Sequence, residues 1–138
     1  MEKFKLYLNP DLDFSSSGVI YKGVNNCFSG VLFETSPYFP LPYELWEKLD
    51  ENQQKHIFPY PVLPPKLNES CNENSGIDPK NLFEPNIGLG YLSLYKKHHK
   101  DYNAKVFWDR SNKIIHIWSC KLIKPESEII INTLNYVK

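Results

Sequence analysis

The order of segments between Asn86 and Lys138 constrains the fold more than any other feature of this chain. Asn86-Ile-Gly-Leu-Gly-Tyr-Leu-Ser-Leu-Tyr95 is an apolar run punctuated by Gly88 and Gly90. A polar loop follows, Lys96-Lys-His-His-Lys-Asp-Tyr102, the densest basic patch in the sequence. Ala104–Asp109 and Lys113–Trp118 are rich in β-branched and aromatic residues and are separated by the turn Arg110-Ser-Asn112, which predicts a hairpin. Lys121 to Glu126 reads as a further turn, and Glu128 to Asn132 as a last buried strand.

Upstream, Lys3–Leu8 alternates polar and apolar residues as a strand would, and Asn9-Pro10-Asp11 ends it. Ser15–Gly18 is a small-residue turn feeding a second strand, and Val31–Thr35 follows the Ser29-Gly30 turn as a third. Pro37 and Pro40 impose an extended segment. Pro42–His56 is the single predicted helix: Pro42 suits a helix start, and Leu45, Trp46 and Leu49 fall on one face. Pro59, Pro61, Pro64 and Pro65 stop it. Lys66–Pro85 is poor in apolar residues and reads as a surface insertion. The expectation is one α+β domain over residues 1–138, predominantly β, with one helix.

Composition narrows the classes of function. Sixteen basic and sixteen acidic side chains cancel, so no global field favours nucleic acid or a membrane surface as partner. No apolar run approaches the roughly 20 residues that span a bilayer, and the N-terminal residues lack an apolar signal core. The expected setting is soluble and intracellular, in cytoplasm or nucleus. Cys27, Cys71 and Cys120 are odd in number and widely spaced, and read as reduced thiols. Adjacent His98 and His99 suit tetrahedral chelation poorly, so no metal is expected.

The order of segments resembles the SET domain, the fold of many protein-lysine methyltransferases. Three stretches carry the resemblance. Ser16-Ser17-Gly18-Val19-Ile20-Tyr21 is similar to the Gly-x-Gly-Val-Phe-Ala segment whose backbone lies against S-adenosylmethionine in that family, with Ser16 at the first glycine. Gly88–Tyr95, then Lys97-His98-His99 and Asn103-Ala104, match the family's apolar run, its Asn-His-Ser triplet and its Pro-Asn-Ala start of strand. Lys124-Pro-Glu-Ser-Glu-Ile-Ile-Ile-Asn132 is similar to the closing Gly-Glu-Glu-Ile-Thr-Ile-Asn segment. An ungapped match then sets Thr133 at the family's catalytic tyrosine, and Tyr136 follows three residues later.

The resemblance implies a SET-like fold of several short sheets closed by a C-terminal pseudoknot, with Glu128–Tyr136 running under the loop from Tyr95 to Asn103. It implies S-adenosylmethionine as cofactor, with Gly18, Val19, Ile20, Tyr95, Lys97, His98 and Asn132 around it and Tyr136 as the catalytic residue at a lysine channel. It implies a protein as substrate or partner and leaves a homodimer open. Lys97 stands where the family has asparagine, and a cation beside the cationic sulfonium is repulsive. A second reading therefore stands beside the first: a SET-like domain without turnover, serving as a protein-binding module. On the residues alone, Tyr136 reads first as a cap on a β-core near the C-terminus, the Lys96–Lys100 run as a solvated loop, and Trp108 and Trp118 as hairpin core before a recognition surface.

Overall fold

The computed structural model describes residues 6–15, 18–61, 83–98 and 100–132. Ten strands occur among them: β1 (Tyr7–Leu8), β2 (Leu12–Ser15), β3 (Gly18–Tyr21), β4 (Leu32–Pro40), β5 (Phe58–Pro61), β6 (Phe83–Gly88), β7 (Lys96–His98), β8 (Ala104–Asp109), β9 (Ile114–Ser119) and β10 (Ile130–Asn132). Two short helices, α1 (Tyr43–Glu47) and α2 (Glu51–Gln54), lie between β4 and β5. The class is α+β, predominantly β, as expected from the sequence.

Eight strands join in one sheet in the order β5-β6-β4-β9-β8-β10-β7, with β1 also on β4, while β2 and β3 form a separate hairpin. β4 is the spine. It pairs with β9 along one side, and with β1 and β6 in succession along the other. Its central residues are buried from Phe33 to Tyr38, so it reads as a continuous run and not as an alternating one. The main core gathers Phe33, Tyr38, Ile115 and Ile117 from β4 and β9, Val19 and Tyr21 from β3, and Ile129 and Ile131 from the closing segment. A second cluster, Trp46 and Phe83 with Leu41, Tyr43, Leu49 and Ile57 against them, seats the helices on β6.

Four sequence expectations change. The single helix over 42–56 is two, because Asp50 caps α2: its side chain accepts from Gln53 N at 2.8 Å, and Gln53 Oε1 accepts from Asp50 N at 3.0 Å. That reciprocal pair starts a new helix instead of continuing the old one, and Asp-x-x-Gln is a legible sign of it. Pro59 and Pro61 lie inside β5, and the sheet tolerates them because β5 is its edge. The insertion ends earlier than Pro85: Phe83 to Pro85 belong to β6, with Phe83 buried, while residues 62–82 lie outside the described ones. Finally, Lys96–His98 is strand β7, and not loop, because β10 supplies it with a partner.

The hairpin β8–β9 is as predicted, with Val106 opposite Ile117 and Trp108 opposite Ile115. Trp108 belongs to packing: Tyr38 and Tyr60 meet it edge-on at centroid distances of 5.0 Å each. Strand β2 had no clear signature in the sequence, since three of its four residues are exposed and it exists by pairing with β3.

Candidate functional site

The closing segment ties the candidate residues together. Residues 126–129 lie antiparallel to β3: Glu126 N donates to Tyr21 O at 2.7 Å, Tyr21 N to Ser127 O at 2.9 Å, and Ile129 N to Val19 O at 2.8 Å. The chain then enters β10, which is parallel both to β7, with Ile131 opposite Lys97 and Asn132 opposite His98, and to β8, with Ile131 opposite Ala104. β10 therefore lies between two strands that follow one another in the chain, β7 and β8. Asn103 clamps the entry: its side chain accepts from Ile130 N at 2.8 Å and donates to Glu128 O at 3.0 Å. Asn132 holds the exit, accepting from Val106 N at 3.2 Å.

Gly18, Val19 and Ile20 form one border of this strip. Gly18 has φ +150°, a conformation that favours glycine, and a side chain there would run into the Glu128 carboxylate. Glu128 is about one-third exposed, and its Oε1 lies 3.4 Å from Lys96 Nζ. An ion pair this open holds little stabilisation. Val19 is fully buried, and Ile20 bridges Glu128. Gly18, Glu128 and Lys96 thus connect β3 to β7. Glu128 was legible only as part of the closing segment; its carboxylate beside Gly18 depends on the pairing of two segments distant in sequence.

His98 lies at the other end of β7. Its Nδ1 accepts from Lys100 N at 3.1 Å and Asp101 N at 2.9 Å, which fixes the first turn of the loop and leaves the ring proton on Nε2. Tyr95 and Lys97 point elsewhere. Lys97 Nζ donates to Lys55 O, at the end of α2, at 2.9 Å, and lies 5.1 Å from the centre of the Phe58 ring. Desolvation lowers its pKa to about 8. Tyr95 is buried, and its hydroxyl donates to Glu34 Oε1 at 2.7 Å. Tyr136 and Thr133 lie outside the described residues, as do Ser16, His99 and Cys71.

Gly30-Val-Leu-Phe-Glu34 is legible in the sequence as a turn glycine and an acidic strand, but not as the carrier of a buried acid. Glu34 is fully buried on β4, and its Oε2 accepts from Ser36 Oγ at 2.6 Å and from Tyr91 N at 2.9 Å. Burial, opposed by these hydrogen bonds, pushes its pKa up to about 7. Among the described residues no group of three or more His, Cys, Asp or Glu is arranged to hold a metal ion, and no helix is long and apolar enough to cross a membrane.

No family model matches the chain, and no curated protein matches it significantly. Among solved structures, it is similar to a Plasmodium falciparum protein described as a "putative histone methyltransferase", with 19% identity, a TM-score of 0.48, and coverage of 94% of this chain and 92% of that one. A likeness at that level assigns neither family nor activity.

Proposed function

We propose that this chain is a minimal SET-type domain that binds S-adenosylmethionine and methylates a lysine of a protein. The observation that supports the reading best is the path of the closing segment. Residues 126–132 pass from β3 to a place between β7 and β8, beneath whose connecting loop the chain would thread as the resemblance implies. A strand inserted between two strands joined by a short loop is rare in other folds.

The residues present fit such a cofactor in part. Gly18 allows close backbone approach, and the Glu128 carboxylate beside it supplies negative charge suited to a ligand with sulfonium and ammonium groups. Lys97, the cation that would oppose that ligand, has its ammonium drawn to the Lys55 carbonyl. When bound, the cofactor supplies an electrophilic methyl group. The protein's part is to orient a neutral amine in line with it and exclude water, a task of positioning more than of acid–base chemistry. Tyr136 is the proposed positioning group at the lysine.

The second reading, a binding module of the same ancestry, is favoured by one observation: the Tyr95 hydroxyl and the Lys97 ammonium are already engaged by Glu34 and Lys55. Thermal unfolding with S-adenosylmethionine and its demethylated product separates the two. Ligand at about 100 times its dissociation constant stabilises by about 2.7 kcal/mol, or roughly 10 °C for a domain of this size. No shift at millimolar ligand would remove the methyltransferase reading and leave the module.

A further inference from the structure

The Glu34 carboxylate hydrogen-bonds β4 to the connection leading into β7. On β4, Ser36 Oγ donates to it; from the connection come Tyr91 N and, at its last residue, the Tyr95 hydroxyl. Gly90, with φ +63°, brings the backbone so close that any side chain there would strike Glu34 Oε2. Its strand neighbours across the sheet are Leu8 on β1 and Ile117 on β9, both aliphatic. Phe14 of β2 packs in a tilted arrangement against the Tyr91 ring, with centroids 4.8 Å apart. Tyr95 and Tyr91 are the titratable groups facing the site; burial raises the Tyr95 pKa further, and the donors to Glu34 are two hydroxyls, of Ser36 and Tyr95, and the Tyr91 backbone N–H, all uncharged. A fully buried carboxylate met only by neutral donors carries a desolvation cost whenever it is ionised.

We propose that Glu34 is a proton-operated latch: with its proton it holds residues 89–95 and strand β7 closed against β4, and on losing the proton it favours their opening. The consequence reaches β7 because Tyr95 directly precedes Lys96, and among the described residues β10 is the one strand paired with β7. Either oxygen of the protonated acid finds a hydroxyl that can turn to accept from it, Ser36 or Tyr95. In the open state the group meets water and returns to ordinary acidity. The shift supports the same direction, since the closed form binds its proton up to about pH 7. The latch stands independently of methyl transfer.

Native-state hydrogen exchange on the whole chain, corrected for intrinsic rates, tests it. The opening equilibrium read at the amides of Tyr91 and Lys96–His98 is expected to rise roughly tenfold per unit between pH 5.5 and 6.5 and to level off by pH 8. The amides of β8 and β9 are expected to stay flat, and Glu34→Gln to abolish the rise. Flat exchange at Tyr91 and β7 in the parent, or an undiminished rise in the variant, overturns the latch. Should Glu34→Gln not fold, infrared spectra of the parent decide: a protonated-carboxyl band in the folded protein at pH 6, lost by pH 8, is required, and its absence overturns the proposal.

Discussion

Two carboxylates in this molecule use the same local device and have opposite fates. Glu34 is seated against Gly90 and Glu128 against Gly18, and in each case the glycine leaves room that a side chain would take. Glu34 lies in the core with three neutral donors, so proton binding competes with ionisation near neutrality. Glu128 is about one-third exposed and lies beside Lys96, within reach of water. A glycine thus grants approach, while burial decides what the approaching acid does. One acid is a structural fastener, and the other remains available to a ligand.

The contrast breaks most readily at the core. Glu34→Ala leaves the Tyr95 and Ser36 hydroxyls and the Tyr91 amide without their acceptor, and an expected loss of about 4 kcal/mol follows from unmaking buried hydrogen bonds. Denaturant unfolding measures it, and a loss below about 1 kcal/mol would show the carboxylate to be dispensable. The pH profile comes next. Because the folded pKa of Glu34 is raised from 4.5 to about 7, its proton stabilises the fold fully below pH 4.5. That stabilisation, at most about 3 kcal/mol, is lost as pH rises to about 7. Lys97, lowered to about 8, acts with the opposite slope at higher pH, where stability recovers as the unfolded chain alone keeps the proton. A shallow minimum in stability near pH 7–8 is the expected outcome, and Glu34→Gln should remove its acid side.

Glycine replacements sharpen the comparison at smaller scale. Gly90→Ala drives a methyl into Glu34 and Ser36, which cannot retreat, and should destabilise by about 3 kcal/mol. Gly18→Ala meets only the end of a side chain that can swing to solvent, so the backbone alone resists and about 1–2 kcal/mol is expected. Equal losses would refute the claim that burial distinguishes the two. The smallest effect is at the exposed pair: Lys96→Ala should change stability by less than about 0.5 kcal/mol. Under the methyltransferase reading, Glu128→Gln should also leave stability almost unchanged while weakening S-adenosylmethionine, measured by calorimetry. Unaltered affinity would separate Glu128 from the cofactor.

Much of the scaffold was legible in the residues. The β8–β9 hairpin, the glycine-punctuated turn and the closing strand each announce themselves by local pattern, since β-branched and aromatic alternation and turn chemistry act over a few residues. Asp50-Glu-Asn-Gln53 also carried the helix break, although the overlying helical spacing of Leu45, Trp46 and Leu49 masked it. Strand β7 was hidden because Lys-Lys-His has no strand preference of its own and becomes one only when β10 arrives beside it. Of the candidate residues, Gly18–Ile20, His98 and Asn132 lie along the path of residues 126–132. Two members, Tyr95 and Lys97, turn to Glu34 and Lys55 instead.

The sequence by itself determined the β-rich class, the hairpin and the segments that meet, because these follow from short-range pattern and apolar content. Only the tertiary structure decided that Glu34 is a buried acid, that Glu128 stands beside Gly18, and that β10 lies between β7 and β8. A carboxylate's chemistry depends on its solvent and its neighbours, and here those neighbours come from 57 and 61 positions away for Tyr91 and Tyr95. No local pattern encodes an environment assembled at that distance.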